Sequence, residues 1–212
     1  MTITVFGASG MIGKKVIEKA LAHQHHVIAF GRNVLGMIDA DLDNENLVAI
    51  KGYVFDEDSV YNAIKNSDAV ISVLGGSFDG TDKARSLGIK NIITQMEKAG
   101  VKRIVALGGK GILQADDATL IMDKPDYPEE YLPVGKEHLQ AYQYLEMSTL
   151  DWTIVGAPNL VDAQGNDNYS TAKNYAPKPD KGEVDAGNLA SFMLKEITEN
   201  QFLHARVGIT NA

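Results

Sequence analysis

The chain has 212 residues, 44% of them hydrophobic and 23% charged, which suits one domain with a sizeable core and excludes a disordered or fibrous protein. Its formal net charge of −8, with no long basic cluster to offset it, argues against nucleic acid or an anionic membrane as the main partner; the absence of cysteine excludes disulfides, thiolate metal sites and cysteine nucleophiles. No apolar run of about 18 residues is present to span a membrane, and Met1–Phe6 has no basic stretch ahead of an apolar region, so it reads as the first strand of a cytoplasmic protein.

Strand-like and helix-like segments then alternate. Thr2–Phe6 is β-branched and aromatic, and Gly7–Gly13 is a glycine-rich turn. Met11–Ala22 carries Met11, Ile12, Val16, Ile17, Ala20 and Leu21 at helical spacing. His26–Phe30 and Leu47–Lys51 read as the second and third strands, with a short helix over Asp56–Lys65. Ala69–Leu74 is a continuous apolar run ending at Gly75-Gly76, as expected of a strand buried on both faces. Lys83–Ala99 is expected to be helical, with Leu87, Ile89, Ile92, Ile93 and Met96 inward and Gly100 as its stop. Val101–Leu107 is a fifth strand, Lys136–Met147 a helix and Trp152–Val155 a sixth strand. Ala186–Ile197 is a late helix with Asp185 as its N-cap, and Arg206–Thr210 a final strand. This β-α-β-α order predicts one α/β domain, a doubly wound parallel sheet with helices on both faces. Two proline-containing or polar stretches, Ala115–Gly135 and Asp162–Val184, break the rhythm late in the fold and are read as substrate-covering loops.

Gly7-Ala8-Ser9-Gly10-Met11-Ile12-Gly13 follows a strand and opens a helix, the context that gives a glycine pattern meaning. Gly7 allows a sharp turn, Gly10 removes a Cβ that would block a pyrophosphate, and Gly13 lets the helix lie close to the sheet. The anion meets backbone N–H groups at the helix N-terminus, among them those of Met11 and Ile12, and the Ser9 hydroxyl adds a hydrogen bond. The second strand ends Ala29-Phe30-Gly31-Arg32-Asn33, with no acid to hold the ribose 2′-hydroxyl of NAD. Arg32 in that place can pair with a 2′-phosphate and stack on adenine, which favours NADP(H) over NAD(H).

The G-x-x-G-x-x-G spacing resembles the extended and atypical short-chain dehydrogenases/reductases, whose Rossmann-like fold it implies. Ala69–Gly76, Asn91–Thr94, Gly100–Val105, Ser148–Val155 and Val184–Leu194 look like the NmrA-like, NAD(P)H-binding branch, and within it the flavin-reductase (biliverdin-IXβ reductase) type. The resemblance covers nearly the whole chain. It implies cofactor contacts at Gly7, Ser9, Gly10, Met11, Ile12, Gly13, Arg32, Asn33, Val54, Leu74, Gly75, Gly76, Leu107, Gly108, Pro158 and Asn159, with Val54 engaged through its backbone where the family's adenine-contacting acid is replaced by Tyr53.

The departures bear on chemistry. Classical members carry Tyr-x-x-x-Lys before strand six; here the lysine slot holds His138 and the tyrosine slot Val134, and Gly108 and Gly109 stand where a serine or threonine is usual. Reducing a ketone places charge on one oxygen, which needs a proton donor or a strong hydrogen bond. A conjugated ring delocalises that charge, so the site has mainly to stack the acceptor. The expected function is therefore an NADPH-dependent oxidoreductase acting on a flavin, quinone or similar planar acceptor. A non-catalytic NADP(H) sensor of NmrA type and a nucleotide-sugar epimerase or dehydratase are the alternatives. His138 is the candidate catalytic residue, as a hydrogen-bond donor near cofactor or acceptor; the competing reading is a surface histidine under the proline loop. Tyr127, Tyr131, Tyr169 and Tyr175 read as loop packing, with one available to stack on a ligand. No metal site is assigned: His23, His25 and His26 fall at a turn opposite the cofactor edge.

Overall fold

The structure, a computed structural model, describes residues 1–34 and 44–212. The chain runs β1 (Thr2–Phe6), α1 (Met11–Ala22), β2 (His26–Gly31), β3 (Leu47–Lys51), α2 (Glu57–Ile64), β4 (Ala69–Ser72), α3 (Ile89–Ala99), β5 (Arg103–Gly109), α4 (Leu132–Glu146) and β6 (Asp151–Ala157). It continues with β7 (Asn159–Val161), β8 (Tyr169–Lys173), β9 (Glu183–Asp185), α5 (Ala186–Glu199) and β10 (Ala205–Asn211). Eight strands form one sheet in the order β3-β2-β1-β4-β5-β6-β10-β8, and β7 pairs with β9 in a small second sheet.

The main sheet is parallel except at one edge, where β8 lies antiparallel to β10 with Gly208 opposite Ala172. Alternation along the strands divides the core between two faces. Ile3 and Val5 of β1 join Val16 and Ile17 of α1 and Leu189 and Met193 of α5. Phe6 joins Phe30, Ile64, Ile92, Met96 and Leu145 beneath α2, α3 and α4. The result is a Rossmann-like α/β fold with helices on both faces.

Local signals set the helix ends. The Asp56 carboxylate accepts from Ser59 N–H at 2.7 Å and caps α2. Gly100 adopts φ +74 after α3, a left-handed stop that a residue with a Cβ resists. Asp185 stands at the N-cap of α5, but its side chain does not cap; it accepts from Asn211 Nδ2 at 3.0 Å.

Several boundaries differ from expectation. α4 begins at Leu132, not Lys136, because Pro133 falls in its first turn, where a missing N–H removes no helical bond. β4 stops at Ser72; Val73 N–H still reaches Phe6 carbonyl at 2.9 Å, and the chain then leaves the ladder. β5 starts at Arg103 and runs on through Gly109. The expected helix over Lys83–Ala99 opens with a π-helical turn at Ala84–Gly88. The wider turn rotates the residues within it, burying Arg85, Ser86 and Gly88, so Leu87, expected inward, is 44% exposed. The Asp162–Val184 stretch read as loop contains β8 and the first two residues of β9, short strands whose pairing is set by distant partners. Among the described residues no helix is long and apolar enough to cross a membrane.

Candidate functional site

A cleft runs along the carboxyl ends of β1, β2, β4, β5 and β6, with a cavity volume of about 1360 Å³. The strand order reverses between β1 and β4, and open α/β sheets bind ligands at such a switch point. Part of each late stretch lies over it, including Tyr127 and Tyr131 from the first and Tyr175 and Lys178 from the second.

The glycine turn forms one wall. Gly7 has φ +81, and a Cβ there would lie 2.5 Å from Val73 carbonyl oxygen. A Cβ on Gly13 would lie 2.3 Å from Gly7 carbonyl oxygen, so α1 can approach β1 this closely only without one. Gly10, the N-cap of α1, offers no side-chain cap, and the first turn holds no acid. The N–H groups of Met11, Ile12 and Gly13 consequently have no intrahelical partner and lie at the positive end of the helix dipole. A Cβ on Gly10 would approach only Gly7 carbonyl oxygen, at 3.3 Å; the rest of that space is open. This cradle fits the pyrophosphate of a dinucleotide. Gly7, Ser9, Gly10, Met11 and Ile12 line the cleft, while Gly13 lies behind it as the close-packing residue.

At the far end Arg32 is exposed and lines the cleft, and Asn33 is exposed but does not line it. Val54 lines the wall between Tyr53 and Phe55. Its carbonyl accepts from Asn91 Nδ2 at 2.8 Å, and its methyls leave 3.0 Å to a Cβ built on Gly88. Leu74 and Gly75 line the middle, and nothing lies within 4 Å of a Cβ on Gly75. Gly76 sits behind them, its carbonyl accepting from Arg85 at 2.9 Å.

The other half holds Leu107, Gly108, Val134, His138, Pro158 and Asn159. His138 packs under β5: a Cβ on Gly109 would lie 2.9 Å from its Cδ2 and 3.4 Å from Nε2. Its Nδ1 is buried without a hydrogen-bond partner. Burial first, and the nearby Arg85 second, hold its pKa down to about 3, so the ring is neutral at physiological pH. The histidine therefore reaches the cleft floor instead of the helix surface. Of the four tyrosines, Tyr127, Tyr131 and Tyr175 line the cleft, whereas Tyr169 packs edge-on against Phe192 at 6.0 Å.

Arg85 lines the same half and was not singled out from the sequence. It is 7% exposed and donates to the Ser77 and Gly76 carbonyls, both at 2.9 Å. The available signal was its place four residues before Ile89, at the head of an inward apolar stripe. Glu137, next to His138, fixes the π-turn by accepting from Ser86 Oγ at 2.5 Å and Lys83 Nζ at 2.7 Å.

Comparison with known proteins agrees with this geometry. An uncharacterized Bacillus subtilis protein, YwnB, is 24% identical over the whole of this chain and 99% of its own. A Burkholderia pseudomallei structure, provisionally described as an exported protein, is 27% identical with a TM-score of 0.84 over 99% of each chain. A Streptococcus pneumoniae structure, provisionally named an NADH-flavin reductase, shares the fold at 24% identity, with a TM-score of 0.85 over 100% of each chain. The model of the NAD(P)H-binding family matches residues 7–200, from the first glycine of the cradle to the end of α5, and the chain belongs to that family.

Proposed function

We propose that the protein is an NADPH-dependent oxidoreductase whose acceptor is a flavin, a quinone or a similar planar molecule. The observation that carries this reading is the pairing, in one cleft, of a dinucleotide cradle with an acceptor half that has Val134 and Gly108–Gly109 where a ketone reductase needs hydroxyls. When bound, the reduced nicotinamide supplies hydride chemistry. The residues of the chain do the rest: the turn from Gly7 to Ile12 holds the pyrophosphate, Arg32 the 2′-phosphate, and Val54 the adenine edge. Gly75, Leu107, Gly108, Pro158 and Asn159 shape the nicotinamide end. His138 stays neutral and offers a hydrogen bond without adding charge. The loops bearing Tyr127 and Tyr175 exclude water and offer rings against which a flat acceptor stacks. Such a reaction draws on a cytoplasmic pool of reduced cofactor, which is where this reading places the protein.

The test is steady-state NADPH oxidation with a panel of flavins, quinones and simple ketones. Turnover with the planar acceptors and none with the ketones is expected. Ketone turnover alone would overturn the acceptor assignment, and tight NADPH binding without any turnover would make the protein a sensor.

A further inference from the structure

Arg85 is an unusual cation. It is 7% exposed, yet among the described residues it makes no ion pair within 4.0 Å; its two bonds go to neutral carbonyls. A guanidinium does not shed its proton to escape burial, so it remains a fixed positive charge. Asp82 and Glu137 act on it from a distance and raise its pKa, but burial outweighs them and the net shift is downward. Glu137 is already bonded to Lys83 and Ser86, and Asp82 Oδ1 accepts from Ala84 N–H at 2.8 Å. An isolated buried charge is costly unless something compensates it.

The surroundings suggest what does. Arg85 lines the cleft and lies 5.7 Å from the centroid of the Phe78 ring, which is 64% exposed at the cleft wall. Among the described residues the cleft wall carries more cations than acids, although the chain as a whole has a net charge of −8. His138 stands nearby with its buried Nδ1 unpartnered. An orphaned ring nitrogen is tolerated best without its proton, which leaves the hydrogen on Nε2, beneath Gly109.

We propose that the acceptor half binds a planar ligand carrying negative charge, with the Arg85 guanidinium as its counter-charge and His138 Nε2–H as a neutral donor beside it. This rests on the planar-acceptor reading above and narrows it to acceptors that are anionic as bound.

The test is calorimetric titration of the NADP⁺-saturated protein with two probes of nearly the same shape: a hydroxynaphthoquinone, ionised at neutral pH, and a neutral methylnaphthoquinone. Wild type should bind the anion about tenfold more tightly. Arg85→Gln keeps donors for the two carbonyls and removes the charge; it should bind both probes alike, with NADPH affinity unchanged. Asp82→Asn, which keeps an acceptor for Ala84, should widen the preference and serves if Arg85→Gln does not fold. Equal binding of the two probes by wild type, a preference that survives Arg85→Gln, or no change in Asp82→Asn overturns the proposal alone. So does a loss of NADPH affinity in Arg85→Gln, which would assign the arginine to the cofactor. If neither probe binds, the planar-acceptor reading falls, and this proposal with it.

Discussion

Two buried arginines, at opposite ends of the same strands, show how differently one residue type is used. At the amino end of β5, Arg103 is 8% exposed and faces Glu196 of α5 at 2.8 Å. The pair is densely bonded: the Arg103 Nη atoms also donate to the carbonyls of Ile104, Asp151 and Glu196 and to Thr153 Oγ1, while Glu196 accepts from Thr153, Gln201 and Phe202; the Arg103 Nε is buried without a partner. At the carboxyl end, near the cleft, Arg85 is as deeply buried, but among the described residues its hydrogen bonds go only to carbonyls. The first arginine closes a structure; the second keeps its charge for something outside the protein.

The sharpest way to break that comparison is to unmake the first pair. Glu196→Ala leaves the Arg103 charge buried and unpaired, and should lower unfolding free energy by about 3–5 kcal/mol in a denaturant melt. Replacing both members by apolar residues of similar volume, Arg103→Met with Glu196→Leu, should restore most of that. Arg85→Gln orphans no carboxylate and should change stability by no more than about 1 kcal/mol. A loss as large as that of Glu196→Ala would make Arg85 structural too.

Arg32 supplies an exposed third case. Its 2′-phosphate contact is expected to be worth about 1.5–3 kcal/mol, so Arg32→Ala should weaken NADPH binding roughly ten- to a hundredfold. NADH should change far less, and added salt should erode the preference. Titration of both cofactors into both proteins decides: equal losses would mean stacking on adenine, and no loss would leave cofactor choice open.

The smallest effect concerns the neighbour of Arg85. His138 takes its proton at an ordinary pH in the unfolded chain, near 6.5, but only at about 3 when folded. Between those values the unfolded state binds more protons, so stability falls as pH falls through this window. His138→Gln should remove that contribution, a difference of about 1–2 kcal/mol near pH 5 in the same melts. Arg85→Gln should raise the His138 pKa without restoring it, because burial is the larger cause. An NMR titration of the ring reads this directly.

Legibility follows the range of the interactions. β1, α1 and β3 have the limits expected, because apolar periodicity and a glycine turn are local properties. β8 is not legible in this way: Tyr-Ser-Thr-Ala-Lys carries no alternation that marks a strand, and its partner β10 lies more than thirty residues on. The π-turn leaves no mark in the apolar spacing either, so that spacing points Leu87 inward where the fold exposes it. The site divides in the same way. The cradle is made of backbone and missing Cβ atoms, which a string of glycines announces. Arg85 is charged on an inward stripe, and only the fold shows that a cleft reaches it.

The reversal of strand order between β1 and β4 means that the two halves of the cleft answer to different chemistries of change. The cradle depends on positions such as Gly7 and Gly13, where any added carbon collides with the main chain. The acceptor wall owes more to side chains, among them His138 of α4 and Tyr127 and Tyr175 of the covering loops, so it can be rewritten residue by residue while the cradle stays intact. A lineage with this scaffold is thus free to explore new acceptors while its cofactor habit stays fixed.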